Sequence, residues 1–267
     1  MLNSTGDTVP TYEERYIAFL DILGFSNLVK ESLDEKVGTN RIYEIIKTFQ
    51  EQKYFLNEIM PVGGDNPRVY MFSDSICLTV APTAKGLKRL FDIIFVLNNS
   101  LIHNSVLLRG SIVQGRLYEK DSIIFGPGLV EAYEAESKAA KYPRVLISNS
   151  IYKESQSIDY IVTGREPMPL SARTRRDFDG LYHLNWLCHF CIKRNPSSRG
   201  VPTIMTAPLN YKWIKENIES GLIEAKDRTD ILLKWQWLAS YFNEVIATGE
   251  ELDILVGDNK SVSPIKF

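Results

Sequence analysis

The run Tyr16-Ile17-Ala18-Phe19-Leu20-Asp21-Ile22-Leu23-Gly24-Phe25-Ser26 constrains this chain most: an apolar stretch that admits one carboxylate and then turns through a glycine into a helical pattern. It predicts a buried strand that delivers a single acid, Asp21, to its end. A second acid arrives in the same manner. In Val69-Tyr70-Met71-Phe72-Ser73-Asp74-Ser75-Ile76-Cys77-Leu78, two apolar runs meet at Ser73-Asp74 as at the tip of a tight hairpin.

The segments around these two stretches predict an order. A helix is expected from Asn40 to Met60, with Ile42, Ile45, Ile46, Phe49, Leu56 and Ile59 on one stripe, and another from Ala84 to Asn104, with Leu87, Leu90, Phe91, Ile94, Leu97 and Leu101 on one side. The strands Val106–Gly115 and Ser122–Phe125 follow. Strand, helix, hairpin, helix, strand folds most simply as an α+β domain with a ferredoxin-like split βαβ sheet. Both helices then lie on one face, with the first strand and the hairpin side by side. That arrangement brings Asp21 and Asp74 together.

Gly126-Pro127-Gly128 opens a third helix, Leu129 to Lys141, ahead of a strand Arg144–Ser148. A basic loop, Arg173 to Arg176, leads to a strand Leu181–Leu187. From Leu209 to Thr248 the pattern is helical and aromatic, a cover or a dimer-forming element. The expected division is a flexible leader, 1–14, a catalytic domain, 15–190, and a helical C-terminal extension, 191–267.

The 267 residues, 44% of them hydrophobic, suffice for a full core, and a net charge of −2 gives no basic field that would recommend nucleic acid as a partner. No apolar run is long enough to span a membrane, and the first residues lack the order of a signal peptide, so a cytoplasmic protein is expected. Cys188 and Cys191 form one Cys-x-x-Cys with apolar neighbours, which reads as packed thiols more readily than as half of a zinc site.

Two carboxylates pressed together resist joint ionisation, so such a site is stable when divalent cations hold it. Mg²⁺ takes one or two carboxylates plus phosphate oxygens, and the turn at Leu23, Gly24 and Phe25 would add backbone N–H groups at a helix start for a polyphosphate. These features point to a nucleoside triphosphate. The alternative is local: Asp21 as a helix N-cap and Ser73-Asp74 as turn chemistry.

Phe19-Leu20-Asp21-Ile22-Leu23-Gly24-Phe25 resembles the first metal motif of class III nucleotidyl cyclases, F-x-D-I-x-G-F, and Phe72-Ser73-Asp74 resembles their second. The stretch Gly126 to Ser137 is similar to their G-x-x-V-N-x-A-x-R-x-E-S helix, and the three blocks cover about Tyr16 to Ser148 in the family's order. Within that superfamily the chain looks most like the pyrimidine cyclases of bacterial anti-phage (Pycsar) systems. The resemblance implies a homodimer with composite active sites and two Mn²⁺ or Mg²⁺ ions on Asp21, Asp74 and the Ile22 carbonyl. It also implies a cyclic UMP or cyclic CMP product, made from UTP or CTP, that activates a separate effector.

The departures are specific. Val130 stands where purine cyclases carry Asn, and Glu134 where they carry the Arg that stabilises the transition state. Another cation must then supply that charge: Lys138, one helical turn beyond Glu134 and equally able to pair with it, or Arg109, or the Arg173–Arg176 loop. Tyr70 stands where a Lys or Glu reads a purine, and Ile123 falls near the other base-reading position. A phenol there narrows the pocket toward a one-ring base, unless Tyr70 is an ordinary packed strand residue. The expected activity is that of a uridylate cyclase, or less readily a cytidylate cyclase; the other reading is a cyclase-fold module that binds nucleotide without chemistry.

Overall fold

The computed structural model describes residues 11–34, 38–54, 67–102, 105–120, 122–160, 167–187, 210–251 and 261–267. The first half of the chain carries β1 (Glu13–Ile22), α1 (Phe25–Glu31), α2 (Asn40–Tyr54), β2 (Arg68–Phe72), β3 (Ser75–Val80), α3 (Ala84–Ile102), β4 (Leu108–Lys120) and β5 (Ile123–Phe125). The second carries α4 (Pro127–Ala139), β6 (Val145–Ile147), α5 (Asn149–Ser155), β7 (Asp159–Tyr160), β8 (Met168–Pro169), β9 (Thr174–Arg176), β10 (Tyr182–Leu184), α6 (Tyr211–Glu224) and α7 (Thr229–Glu251).

The main sheet runs β2-β3-β1-β4-β6-β10-β9, with β5 paired to β4. Its first four strands have the spatial order of a split βαβ unit, and β1 lies between the hairpin and β4, as the element order predicts. Every pairing is antiparallel except β4 with β6, whose crossover is α4. The fold is therefore α+β around one mixed sheet.

β1 is apolar from Tyr16 to Leu20 because the sheet there is covered on both faces. Tyr16, Ala18, Leu20 and Ile22 pack against Ile45 of α2 and Leu87, Leu90, Phe91 and Ile94 of α3, while Ile17, from the other face, packs with Cys77, Val113, Leu117 and Ala132 of α4. The close approach of α4 explains two glycines. A Cβ on Gly128 would stand 2.7 Å from Ile17 Cδ1 and 2.9 Å from the Gly115 backbone, so the helix start lies directly on β4 only because both residues lack a side chain.

Several boundaries differ from expectation. Glu13 and Glu14, expected in the leader, pair with Leu117 and Arg116 as the first rungs of β1; residues 1–10 lie outside the described residues, as do Cys188, Cys191 and the expected helix end at 55–60. Ser148 is not strand but the N-cap of α5, its Oγ accepting from the Ile151 amide. The aromatic C-terminal segment is a cover. Trp235, Trp237, Tyr241 and Phe242 of α7 form a second core with Tyr211, Ile214 and Ile218 of α6, with Trp186 and Leu187, and with Phe95 and Ile102 of α3. No described helix is long and apolar enough to cross a membrane.

Candidate active site

Strand register brings the first acid and its neighbours into one row. Asp21 at the end of β1 faces Ser75 of β3 on one side and Arg109 of β4 on the other. The end of β1 is clamped from both sides: Ile22 N–H donates to the Asp74 carbonyl (3.1 Å) and Leu23 N–H to the Leu107 carbonyl (2.9 Å). Ser73 and Asp74 form the two-residue hairpin turn, with Ser73 at φ +59°, in the left-handed region. The two acids, 53 positions apart by number, thus meet at one end of the sheet.

Arg109 organises the row. Its Nε–H donates to Asp21 Oδ2 at 2.9 Å, and Glu136 Oε1 of α4 lies 2.8 Å from the same nitrogen, off the N–H direction. Burial pushes the Asp21 carboxyl above the ordinary carboxylate range; Arg109 opposes the shift, Asp74 adds to it, and Lys234 of α7 opposes it. Burial likewise raises Glu136, with Arg109 opposing and Asp21 and Asp74 adding. One guanidinium and, farther off, one ammonium therefore hold three acids in a partly desolvated corner.

Two residues along, the next row whose side chains share the face of Asp21 runs Tyr70, Cys77, Phe19, Ser111. Tyr70 is two strands and two residues away from Asp21, about 12 Å by ordinary sheet spacings, a separation comparable with that between the base and the phosphates of a nucleotide. The Tyr70 phenol is pushed up by burial and by Glu119, against the pull of Arg68. Glu119 is itself buried and fixed, accepting from Thr79 Oγ1 (2.6 Å) and pairing with Arg15 (2.8 Å) and Arg68 (3.1 Å).

The two carboxylates and the carbonyl groups beside them are hard oxygen donors of the kind Mg²⁺ or Mn²⁺ takes together with phosphate oxygens, and in that sense the corner fits such ions. Among the described residues no group of three His, Cys, Asp or Glu side chains converges closely enough to form a protein-only metal cage. No family model matches the chain, and no curated protein matches it. Among solved structures it is similar to the catalytic core of a rhodopsin-guanylyl cyclase with converted specificity in complex with ATPalphaS, at 15% identity and a TM-score of 0.41, covering 65% of this chain and 95% of that one. It is also similar to a bacterial light-regulated adenylyl cyclase, at 13% identity and 0.40, covering 67% and 54%. A third is an adenylate/guanylate cyclase/hydrolase from Silicibacter pomeroyi, at 14% and 0.37, covering 65% and 95%. Scores at that level leave the chemistry of this corner to be argued from its own residues.

Other expected residues fall elsewhere. Lys138 does not reach the acids within one chain: its side chain is 71% exposed and pairs with Glu134 at 3.2 Å. The Arg173–Arg176 loop is not near them either. β9 is the far edge strand, about 19 Å from β1 by sheet spacing, and Arg173 pairs with Asp92 while Arg175 pairs with Glu244. Of the turn beyond Asp21, the Leu23 amide is already engaged by Leu107, which removes it as a phosphate donor; Gly24, at φ +81°, and Phe25 open α1 with no side-chain cap. Ile123 is exposed on β5.

Two residues escaped the sequence reading. Glu136 was legible in principle, because Gly128, Ala132 and Glu136 make one buried stripe at i, i+4, i+8 on α4, and an acid on the sheet-facing stripe needs a cation opposite. Lys234 left no such signal. Its charge is felt at Asp21 only because α7 folds back over the sheet from more than two hundred residues along.

Proposed function

We propose that this chain is a pyrimidine nucleotide cyclase. It would convert UTP, or CTP, to the 3′,5′-cyclic monophosphate and pyrophosphate, as a second-messenger synthase in anti-phage defence whose product activates a separate effector. The observation that carries the reading is the corner formed by Asp21, Asp74 and Arg109 at one end of an otherwise covered sheet, with Tyr70 two rows away. Asp21 and Asp74, with the Ile22 carbonyl, would hold two divalent ions, Mn²⁺ or Mg²⁺, which when bound acidify the ribose 3′-OH and neutralise the triphosphate.

In the reaction the 3′-oxygen loses its proton to solvent and bonds to the α-phosphorus as the bond from that phosphorus to the bridging oxygen breaks, and pyrophosphate leaves with the electron pair. Arg109 orients Asp21 and limits repulsion among the acids. Lys234 supplies positive charge from the C-terminal cover where the family's Arg is missing. Gly24 and Phe25 line the phosphate side of the turn, and Tyr70 offers a ring face and one hydroxyl to the base. A homodimer with composite sites is supported by the apolar side chains left exposed on α4 and the strand leading into it: Ile123, Phe125, Val130 and Tyr133. Lys138 shares that exposed helix, so its route to a triphosphate runs across the dimer.

The test is incubation of purified protein with each of the four nucleoside triphosphates and Mn²⁺, followed by chromatography of the products. Cyclic UMP or cyclic CMP, lost in Asp21→Asn and Asp74→Asn, is expected. A cyclic purine product would refute the base assignment. Triphosphate binding without turnover would return the chain to a nucleotide-binding module.

A further inference from the structure

A second concave site lies away from the acids, between the edge strands and the C-terminal cover. It is a cavity of about 600 Å³ reached from β9, β10 and α7, and neither Asp21, Asp74 nor Arg109 faces it. That volume is in the range of small-ligand pockets. Its walls are aromatic: Tyr142 and Trp237 are stacked with ring centres 5.8 Å apart, and Phe178 meets Tyr142 edge to face at 5.7 Å.

Phe178 is the unusual residue. It is 74% exposed, yet it sits on a turn that cannot give way. Asp177 and Asp179 on either side of it both accept from Arg144, which is fully buried, and Trp237 Nε1–H donates to Asp177 at 2.9 Å. Gly180, at φ +83°, closes the turn with its amide on the Asp177 carbonyl. A large apolar ring held in water by a buried guanidinium gains nothing for folding; it is a preorganised surface for another flat group.

The floor and rim add polarity. His183 is 1% exposed, its ring packed edge-on to Trp237 and Tyr241, and its Nδ1–H donates to the Leu184 carbonyl at 3.0 Å. That bond fixes the tautomer, so Nε2 carries a lone pair with no hydrogen-bond partner among the described residues. Arg175 is spent on Glu244, whereas Arg176 at the rim pairs with no described carboxylate: its Nε–H is held by the Gly180 carbonyl at 3.1 Å and its guanidinium carbon lies 5.9 Å from the centre of the Tyr182 ring.

We infer that this cavity is a binding site for a mononucleotide, its base lying against the Phe178, Tyr142 and Trp237 rings and donating an N–H to His183 Nε2, its phosphate on the Arg176 guanidinium. Flat π-faces beside a buried acceptor, with an unpaired cation at the mouth, match base, base edge and phosphate in that order. The site is separate from the proposed catalytic corner, and α7 contributes to both: Trp237 to the cavity and Lys234 to the field at Asp21.

The test is calorimetric titration of the full chain with UMP, CMP, AMP and GMP in EDTA, where metal-dependent triphosphate binding is silent. Binding of at least one is expected. It should be weakened at least about tenfold by Phe178→Ala and by Arg176→Ala, both changes at exposed side chains, and unaltered by Asp21→Asn. No binding of any of the four at millimolar concentration overturns the proposal, as does binding that survives both cavity variants or is lost in Asp21→Asn.

Discussion

Replacing Arg109 by Ala removes the one guanidinium that holds Asp21 and Glu136, whose side chains are 16% and 4% exposed. Breaking a pair this buried costs about 3–5 kcal/mol, because the partners stay behind as uncompensated charges. Here the acids have an escape, and it sets a pH dependence. Both carboxyls already sit above their ordinary range, so between the ordinary and the raised values the folded state binds more protons than the unfolded one, and stability falls as pH rises through that window. Without Arg109 the main opposing influence on both groups is gone, Lys234 alone remaining for Asp21, and the window extends upward. The deficit of Arg109→Ala relative to the parent is therefore expected to be about 3 kcal/mol at pH 8 and smaller at pH 5, because protonation relieves the repulsion as pH falls. For a chain of this size the former corresponds to a fall in melting temperature of about 6–12 °C. Adding Glu136→Gln to Arg109→Ala should recover part of the loss at pH 8 and less at pH 5. Thermal unfolding monitored by circular dichroism at the two pH values decides the matter. An equal deficit at both, or a double variant no better than the single one at pH 8, would refute the account of this corner as three acids restrained by one cation.

The buried His183 predicts a trend of opposite sign. Burial pushes its pKa down to about 4, so between about 6.5 and 4 the unfolded chain takes up a proton that the folded chain refuses. Stability should then fall on acidification through that window by up to about 3 kcal/mol, and urea midpoints of His183→Asn should change less than those of the parent between pH 7 and pH 4.5. Lys234→Met should lower nucleotide turnover by about tenfold or more while leaving the melting temperature within about 1 °C, since Lys234 makes no ion pair with a described residue; unchanged turnover would remove it from the chemistry.

What the sequence made legible follows from how local each signal is. The order of strands and the two-sided burial of β1 could be read because period and run length report burial directly, and the Ser73-Asp74 hairpin because a two-residue connection between apolar runs has few solutions. The meeting of Asp21 with Asp74 followed from that topology alone. Side-chain partners were less accessible. The i, i+4 spacing of Glu134 and Lys138 fitted a catalytic cation and a surface pair equally well, and only the orientation of α4, fixed by the Gly115–Gly128 contact, turned that pair toward solvent and Glu136 toward the sheet. The Arg173–Arg176 loop offers cations whose place in the sheet the sequence does not reveal, and β10 and β6 stand between β9 and β4.

The charges at the corner explain why an Arg sits there. Asp21, Asp74 and Glu136 against Arg109 and the more distant Lys234 leave a deficit of positive charge, which adds to the upward shifts that burial imposes on Asp21 and Glu136. A fully neutralised corner would have no reason to take up divalent ions. One lacking Arg109 would hold its protons to higher pH and give up its carboxylates to them. With Arg109 bonded to only one oxygen of Asp21, the acid is held in place, and under the proposed function its other oxygen is the one a cation would take. Divalent ions should accordingly raise the melting temperature of the parent more at pH 8 than at pH 5, because protons and metal compete for the same carboxylates. Mn²⁺ titrations followed by thermal unfolding would show it, and stabilisation that persists undiminished in Asp21→Asn/Asp74→Asn would mean that the metal binds elsewhere.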